Sequence, residues 1–201
     1  KLGTGVVILP QRNPLILAKE LASLDEISNG RLIFGFGVGH LKPEVEALGV
    51  PFHQRGVRTD EYLAAMKSLW HDEQPAYKGR FVDFANMHSH PQRDVQLVVG
   101  GYAPAALRRT IAHAHGWYGF SDTVEKTRQA LADLNAAAQQ VERPAALGQL
   151  EISVTPPKGQ LNRETVEQYA ELGVHRLILL PPSDDLDGRL KYIETIHRDL
   201  L

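Results

Sequence analysis

Short apolar runs alternate along this chain with longer segments whose apolar residues recur every three or four positions. The runs predict six strands, at residues 2–9, 31–37, 95–99, 117–120, 151–155 and 177–180. The segments between them predict amphipathic helices, as in the stripe formed by Leu17, Leu21 and Leu24. Strands that are apolar on both faces and separated by helices are typical of parallel βαβ units. The pattern therefore predicts an α/β fold with a parallel sheet.

Turn and capping residues mark several of the predicted boundaries. Asn13-Pro14 supplies an N-cap and a first-turn proline to one helix, and Asn29-Gly30 ends it. Asp122 with Glu125 predicts a capping box for an alanine-rich helix. A glycine within residues 77–84 predicts a short hairpin.

Six strands, each followed by a helix or a helical loop, fit two architectures. One is an open doubly wound sheet, and the other is a (β/α)8 TIM barrel that lacks two of its eight units. Periodicity does not choose between them. No internal repeat or low-complexity linker divides the sequence, so we expect a single domain over residues 1–201.

The composition excludes several classes of function. The 201 residues contain no cysteine, which rules out disulfides and thiolate chemistry. Their formal net charge of -2 gives no reason to expect nucleic acid or an anionic membrane as a partner. The apolar runs are too short to span a bilayer, and we expect a cytoplasmic protein.

Because the chain opens inside a predicted strand, we also expect an incomplete, N-terminally truncated barrel.

Ligands gather at the carboxyl ends of the strands in both architectures. There, Gly100-Gly101 precedes a helix that starts near Pro104. Glycines let backbone N–H groups approach an anion, and the helix N-terminus adds the positive end of its dipole. This turn is a candidate phosphate site, which Arg108 or Arg109 could supplement; the alternative is a plain strand-to-helix turn.

The segment from Gly35 to Gly39 is a second glycine-rich strand end. It does not complete the dinucleotide fingerprint, because Lys42 stands where that motif needs its third glycine. One interpretation is a strand without side chains, against which a flat ring can lie; the alternative is a crowded barrel interior that needs small residues. His40 follows directly, either as a proton donor or acceptor near neutral pH or as a solvated loop histidine.

The remaining histidine pairs are weak candidates for a metal. His88 and His90 fall in a predicted loop without a carboxylate cluster, so a metal-dependent hydrolase is a minor alternative. His113 and His115 lie two residues apart on a predicted helix and therefore point in different directions. We expect no metal site.

Three segments resemble the luciferase-like monooxygenase family, which includes dehydrogenases that use the deazaflavin coenzyme F-420. They are LGTGVVILPQRNPLILAKELASLDEISNGRLIFGFGVG (2–39), EVEALGVPFHQRG (44–56) with SLW (68–70), and VVGGYAPAALRRTIAHAHGW (98–117). After residue 120 the chain matches the family only in its alternation of strands and helices.

The resemblance implies a (β/α)8 barrel of which this chain supplies the third to eighth strands, with a flavin-type ring at the strand ends. It implies a non-proline cis peptide between Gly5 and Val6, next to Thr4, that backs the ring. Further cofactor contacts would be made by Val38 and Gly39. The implied phosphate loop consists of Gly100, Gly101, Tyr102 and Ala103.

Departures from the family bear on the reaction. His40 stands where relatives carry a glutamate or a tryptophan, and Pro43 replaces an asparagine. The usual GDGW segment becomes Ala114-His115-Gly116-Trp117, without the aspartate. An aspartate and a histidine that the first two strands contribute in related enzymes have no counterpart in this sequence.

The expected function is that of an oxidoreductase acting on a small organic substrate, with His40 as its catalytic residue. Coenzyme F-420 is the expected cofactor, because the runs LPQRNP, AKELASLDEIS and GRL are most similar to members that use it. FMN-dependent monooxygenation is the alternative, and a non-catalytic flavin-binding relative is an alternative from another class. The resemblance also implies a homodimer.

Overall fold

The computed structural model describes residues 1–159 and 161–200. Its strands are β1 (Leu2–Gly3), β2 (Val7–Ile8), β3 (Leu32–Gly37), β4 (Tyr77–Lys78), β5 (Asp83–Phe84), β6 (Gln96–Gly100), β7 (Gly116–Phe120), β8 (Glu151–Thr155) and β9 (Arg176–Leu177). Its α-helices are α1 (Pro14–Ile27), α2 (Lys42–Ala47), α3 (Arg55–His71), α4 (Pro104–His113), α5 (Val124–Ala138), α6 (Arg163–Glu171) and α7 (Leu186–Leu200). The chain forms two compact units, Lys1–Gly101 and Tyr102–Leu201.

The first unit is built on β3, which pairs in parallel with β1, β2 and β6. All six residues of β3 are buried. Phe34 and Phe36 stack with their ring centroids 5.6 Å apart and form the centre of the core. Helices α1 and α3 pack against each other, and the indole N–H of Trp70 donates to the Ala18 carbonyl at 3.0 Å. This sheet fixes the strand ends at which the candidate site lies.

The hairpin predicted at residues 77–84 is confirmed as β4 and β5. One carboxylate from α3 holds its turn, because Glu61 accepts hydrogen bonds from the backbone N–H groups of Arg80 (3.0 Å), Phe81 (2.5 Å) and Val82 (2.7 Å). The guanidinium of Arg58, on the same helix, lies 4.3 Å from the centre of the Phe81 ring. Charge-assisted hydrogen bonds of this kind are stronger than neutral ones, so the hairpin is firmly attached to α3.

The second unit contains the parallel strands β7, β8 and β9, with Trp117 opposite Ile152 and Val154 opposite Leu177. Its core combines residues of the sheet with residues of α4, α5 and α6. These are Leu107, Ile111, Trp117, Ala130, Leu134, Ala137, Ile152, Val154 and Tyr169. Because side chains alternate across a strand, the other face carries Ser153 and Thr155. That face is polar, with Arg176 bonded to Ser153 at 3.0 Å.

Two predicted strands are shorter in the structure than in the sequence pattern. Residues 2–9 do not form one strand buried on both faces: β1 and β2 have two residues each, and Leu2 is 69% exposed. The strand predicted at 177–180 is limited to β9. In both places the residues are apolar as predicted, but the backbone pairs with a neighbouring strand over only part of the run.

One predicted helix start is confirmed by the structure and one is wrong. Asn13 caps α1 as predicted, and its Oδ1 accepts from the N–H groups of Leu15 (3.0 Å) and Ile16 (3.2 Å). The capping box with Asp122 is wrong, because the N-cap of α5 is Thr123, whose hydroxyl accepts from the Lys126 N–H at 3.2 Å. The Asp122 side chain is instead buried in a polar cluster described below.

The parallel α/β alternation predicted from the sequence is confirmed in each unit. The incomplete barrel and the single domain over residues 1–201 stay predictions. In the part of the chain that the structure describes, no helix combines the length and the apolar character needed to cross a membrane.

Candidate functional site

Between β1 and β2 the chain leaves the sheet at Thr4, Gly5 and Val6. The peptide bond joining Gly5 to Val6 is cis, as the family resemblance implied. Thr4 keeps the sheet connected at this bulge: its hydroxyl donates to the Gly35 carbonyl at 2.8 Å and accepts from the Gly35 N–H at 2.9 Å. The Thr4 hydroxyl is therefore engaged within the protein, although Thr4 and Gly5 are both exposed residues.

Three glycines surround this bulge, two on β3 and one at the end of β6. A Cβ on Gly35 would overlap the carbonyl oxygen of Thr4, and one on Gly37 would lie 3.3 Å from a methyl group of Val6. A Cβ on Gly100 would lie 3.1 Å from the other Val6 methyl. The glycines thus make room for the bulge itself, which supports the crowded-interior interpretation.

The end of β3 carries the remaining predicted contacts of this unit. Val38 and Gly39 are partly exposed, and His40 is exposed. Gly39 has a φ of 80°, and a Cβ there would lie 2.9 Å from a methyl group of Ile8. Both facts require glycine at this position.

Arg55 supports this strand end, a role that the sequence did not predict. Its Nε donates to the Gly39 carbonyl at 3.1 Å, and its guanidinium carbon lies 3.7 Å from the centre of the Phe52 ring. An arginine at the start of a helix gives no local signal for this contact, because its partner lies 16 residues away in the chain. Arg55 therefore holds the segment that presents His40.

The predicted phosphate loop consists of Gly100, Gly101, Tyr102 and Ala103. Gly101 has a φ of 129°, a backbone conformation that favours glycine. Ala103 is the N-cap of α4, has extended backbone angles and makes no side-chain capping bond; Pro104 is the first helical residue. A helix start without a capping side chain suits an anion from outside the helix.

The two arginines that could supplement this loop have other roles. Arg108 donates to the Gln140 side chain at 3.3 Å. Arg109 is only 5% exposed. Arg109 is therefore withdrawn from the surface, whereas Arg108 is partly exposed and directs one N–H to Gln140.

A polar cluster in the second unit was not predicted. The carboxylate of Asp122 is wholly buried and accepts from the Tyr102 hydroxyl at 2.6 Å and from the ammonium of Lys126 at 2.6 Å. The Tyr102 hydroxyl in turn accepts from the Phe120 N–H at 2.9 Å, and the Tyr169 hydroxyl donates to the Asp122 carbonyl at 2.5 Å. Burial, together with the hydrogen bond to Asp122, raises the pKa of Tyr102, so its phenol remains a hydrogen-bond donor.

The histidines considered for a metal do not form a ligand set in the structure. The rings of His88 and His90 are parallel with centroids 6.4 Å apart, and both residues are exposed. Among residues 1–159 and 161–200, no three side chains of the metal-binding types group together.

The family model of luciferase-like monooxygenases matches residues 1–197, and the chain therefore belongs to this family. An uncharacterized protein of Mycobacterium tuberculosis is 31% identical over 206 residues, which cover 100% of this chain and 70% of that protein. The FMNH(2)-dependent dimethylsulfone monooxygenase of Pseudomonas putida is 28% identical over 146 residues, which cover 69% of this chain and 40% of the enzyme.

Solved structures show the same fold. Monooxygenase RslO1 from Streptomyces bottropensis is 26% identical with a TM-score of 0.61, over 85% of this chain and 55% of its own. An F420-dependent secondary alcohol dehydrogenase, in complex with an F420-acetone adduct, has a TM-score of 0.77 at 16% identity, over 97% of this chain and 78% of its own. This chain therefore spans little more than half the length of RslO1, although it has the α/β fold of luciferase-like enzymes.

Proposed function

We propose that this protein binds coenzyme F-420 and catalyses hydride transfer between the deazaflavin and a small organic substrate. The observation that carries the proposal is the bulge at Thr4, Gly5 and Val6, seated against Gly35, Gly37 and Gly100 at the carboxyl ends of two strands. Ligands of parallel α/β folds bind at such ends. Family membership supports an oxidoreductase.

The residues at the site fit a planar ring that carries a phosphate. Thr4 and Gly5, which are exposed, and Val6, which is partly buried, would offer a surface for one face of the ring. Val38 and Gly39 would line its edge. The loop of Gly100, Gly101, Tyr102 and Ala103 would bind the phosphate through backbone N–H groups, aided by the uncapped start of α4.

The chain would bind and orient the cofactor and the substrate, and it would hold a proton. The bound cofactor would supply two-electron chemistry. His40 would hold that proton, since it is the titratable side chain next to the end of β3. The hydrogen bond from Arg55 to Gly39 fixes the backbone immediately before His40. Histidine is a frequent general acid or base in enzymes.

FMN-dependent monooxygenation is the second candidate, because a relative 28% identical to this chain is named as an FMNH(2)-dependent monooxygenase. Titration of the protein with coenzyme F-420 and, separately, with FMN distinguishes the two candidates. We expect F-420 to bind at least tenfold more tightly (a difference of about 1.4 kcal/mol). Binding of FMN alone would overturn the deazaflavin assignment, and binding of neither would overturn the family function for this chain.

Turnover assays test the alternative that the protein binds a flavin without catalysing a reaction. We expect His40→Gln to lower kcat roughly 100-fold or more, as is typical for loss of a general acid or base, with cofactor affinity unchanged. His53→Gln, at another exposed histidine of the same unit, is the matched control and should retain activity. Equal rates in wild type, His40→Gln and His53→Gln would show that His40 is not catalytic. A wild type that binds the cofactor and never turns over would favour the non-catalytic alternative.

A further inference from the structure

A pocket of about 160 Å³ lies in the second unit, between α7 and the segments that follow β8 and β9. Val154 of β8 pairs with Leu177 of β9, and its carbonyl accepts from the Ile178 N–H at 2.8 Å. The two segments therefore leave the sheet side by side, at the carboxyl ends of their strands. Ligands of parallel α/β folds bind at this end of a sheet.

Proline and aliphatic residues form most of the wall of this pocket. Pro156 and Pro157 come directly after β8, and Pro182 belongs to the segment after β9. Proline has a fixed φ and no backbone N–H, so these parts of the wall are stiff and offer no amide donor. Leu179 and Ile196 add aliphatic surface. A stiff apolar wall favours an apolar ligand body, and little entropy is lost when it is filled.

Three polar side chains complete the pocket, and one of them carries a charge. Tyr192 and Thr195 lie three residues apart on α7 and therefore on the same side of the helix. Lys158 is exposed, and no carboxylate of the described residues pairs with its ammonium. An ammonium has three donors and no acceptor. The pocket thus combines apolar walls with a single cation, which an anionic group of a ligand would neutralise.

We propose that this pocket binds a small carboxylic acid, whose carboxylate pairs with Lys158 and whose apolar body lies against the prolines and α7. An apolar cavity of about 150 Å³ can hold a benzene molecule, so the pocket has room for an acid of the size of benzoate. No residue of the proposed cofactor site lines this pocket. The inference therefore goes beyond the proposed function and does not depend on it.

The test separates the charge of the ligand from its apolar body. Calorimetric titrations of the full chain without cofactor compare benzoate with benzyl alcohol, which has the same ring and no charge. The variants are Lys158→Met, Lys158→Arg and Lys191→Met. Lys191 is the matched control, because it is an exposed lysine of α7 that does not line the pocket. Leu180→Trp enlarges a wall residue that is 37% exposed and should fill the cavity without disturbing the core.

We expect benzoate to bind to the wild type about tenfold more tightly than benzyl alcohol. Lys158→Met should weaken benzoate binding by about the same factor, in line with the loss of one charge-assisted hydrogen bond, and should change benzyl alcohol binding less than about twofold. Lys158→Arg should retain most of the affinity, and Lys191→Met should resemble the wild type. Leu180→Trp should abolish binding of both probes with an unchanged melting temperature.

Three results would overturn the inference. If the wild type bound neither probe, the pocket would not be a ligand site. An equal loss for benzoate and benzyl alcohol in Lys158→Met would make Lys158 a wall residue and not the partner of the carboxylate. Inorganic phosphate that bound to the wild type as tightly as benzoate would show that the apolar walls contribute nothing. The cofactor titrations test the proposed function separately, so either proposal can fail without the other.

Discussion

At the scale of single residues, the site depends on how one hydroxyl and three glycines fit together. The Thr4 hydroxyl bonds to both the N–H and the carbonyl of Gly35, in place of ladder bonds from the backbone. Gly35 in turn has no room for a side chain, because the Thr4 carbonyl occupies that space. The bulge and its glycine partner are therefore mutually dependent.

Gly35→Ala should destabilise the protein by roughly 1–3 kcal/mol, the usual effect of overpacking a close-packed interior. The added methyl would meet backbone, which cannot move aside as a flexible side chain can. Urea unfolding measures the change. Gly56→Ala is the control, since a Cβ on this glycine of α3 meets nothing within 4 Å and should be neutral or slightly stabilising. Equal stability of the two variants would contradict the packing described for Gly35.

Tyr102 should make the stability sensitive to alkaline pH. Its pKa is raised in the folded protein by burial and by the bond to Asp122, and burial also raises the pKa values of Tyr77 and Tyr169. A raised phenol pKa contributes stability that is complete below the unfolded pKa of about 10 and is lost as the pH rises above it. Unfolding free energies measured from pH 8 to 11 should therefore fall above pH 10.

Tyr102→Phe should reduce the steepness of that fall while lowering the stability at pH 8, where the bond to Asp122 is lost. The same slope in wild type and in Tyr102→Phe would show that Tyr102 does not cause the alkaline sensitivity.

At the scale of elements, the sequence predicts well wherever the decisive interactions are local. The strand at Glu151–Thr155 is found with the predicted bounds, and the Asn13-Pro14 start of α1 depends on contacts within one turn. The failures come from partners distant in the chain. Thr4 interrupts the first strand through Gly35, 31 residues away, and Asp122 turns from the helix cap to Tyr102, 20 residues away.

The same limit applies to the candidate site. The cis peptide and the strand-end glycines could be expected from the family resemblance, because their motifs are continuous in sequence. Arg55 and Lys126 could not, since an arginine or a lysine on a helix is usually a solvated charge. Only the packing of Phe52 under Arg55, and of Asp122 beside Lys126, distinguishes these two residues from other surface cations.

Arg143 joins the end of α4 to the turn at Ala145–Leu147. Its guanidinium donates to four carbonyls, those of Ile111, Ala114, Leu147 and Gly148, at distances of 2.9 to 3.2 Å. Arg143→Lys keeps the charge but cannot reproduce this planar set of donors. We expect a loss of about 1–3 kcal/mol in unfolding free energy, because the carbonyls of the buried residues Ile111 and Ala114 lose a partner.

Thermal and urea unfolding measure the effect of Arg143→Lys. Arg128→Lys, at an exposed arginine of α5, is the matched control and should leave the stability within about 0.5 kcal/mol of wild type. If both variants unfolded like the wild type, the hydrogen bonds of Arg143 would make no contribution to the free energy of unfolding.

At the scale of the whole molecule, each unit exposes apolar side chains that a soluble chain usually covers. Leu2 and Ile27 are 69% and 83% exposed in the first unit. In the second unit, Leu186, Leu190 and Ile193 are at least half exposed and follow one another at helical spacing along α7. A stripe of this kind is typical of a surface that associates with another protein chain.

We therefore predict self-association through α7. Light scattering should give a mass above the 22.3 kDa of a single chain, and the double variant Leu190→Glu with Ile193→Glu should return it to that value without lowering the melting temperature. Lys191→Glu, on the same helix, changes charge without removing apolar surface and should associate like the wild type. A wild-type protein that is monomeric at all concentrations would contradict this prediction.

The threonine that bridges the bulge also determines how stiff the proposed binding surface is. Because both polar groups of Gly35 keep a partner, the backbone at Thr4, Gly5 and Val6 can leave the sheet without loosening it. A ligand that rests on Val6 would lie on a support as rigid as the strands below, and little entropy would be lost on binding there. Adaptation to different substrates would then have to come from the loops around the site, while the platform stays the same.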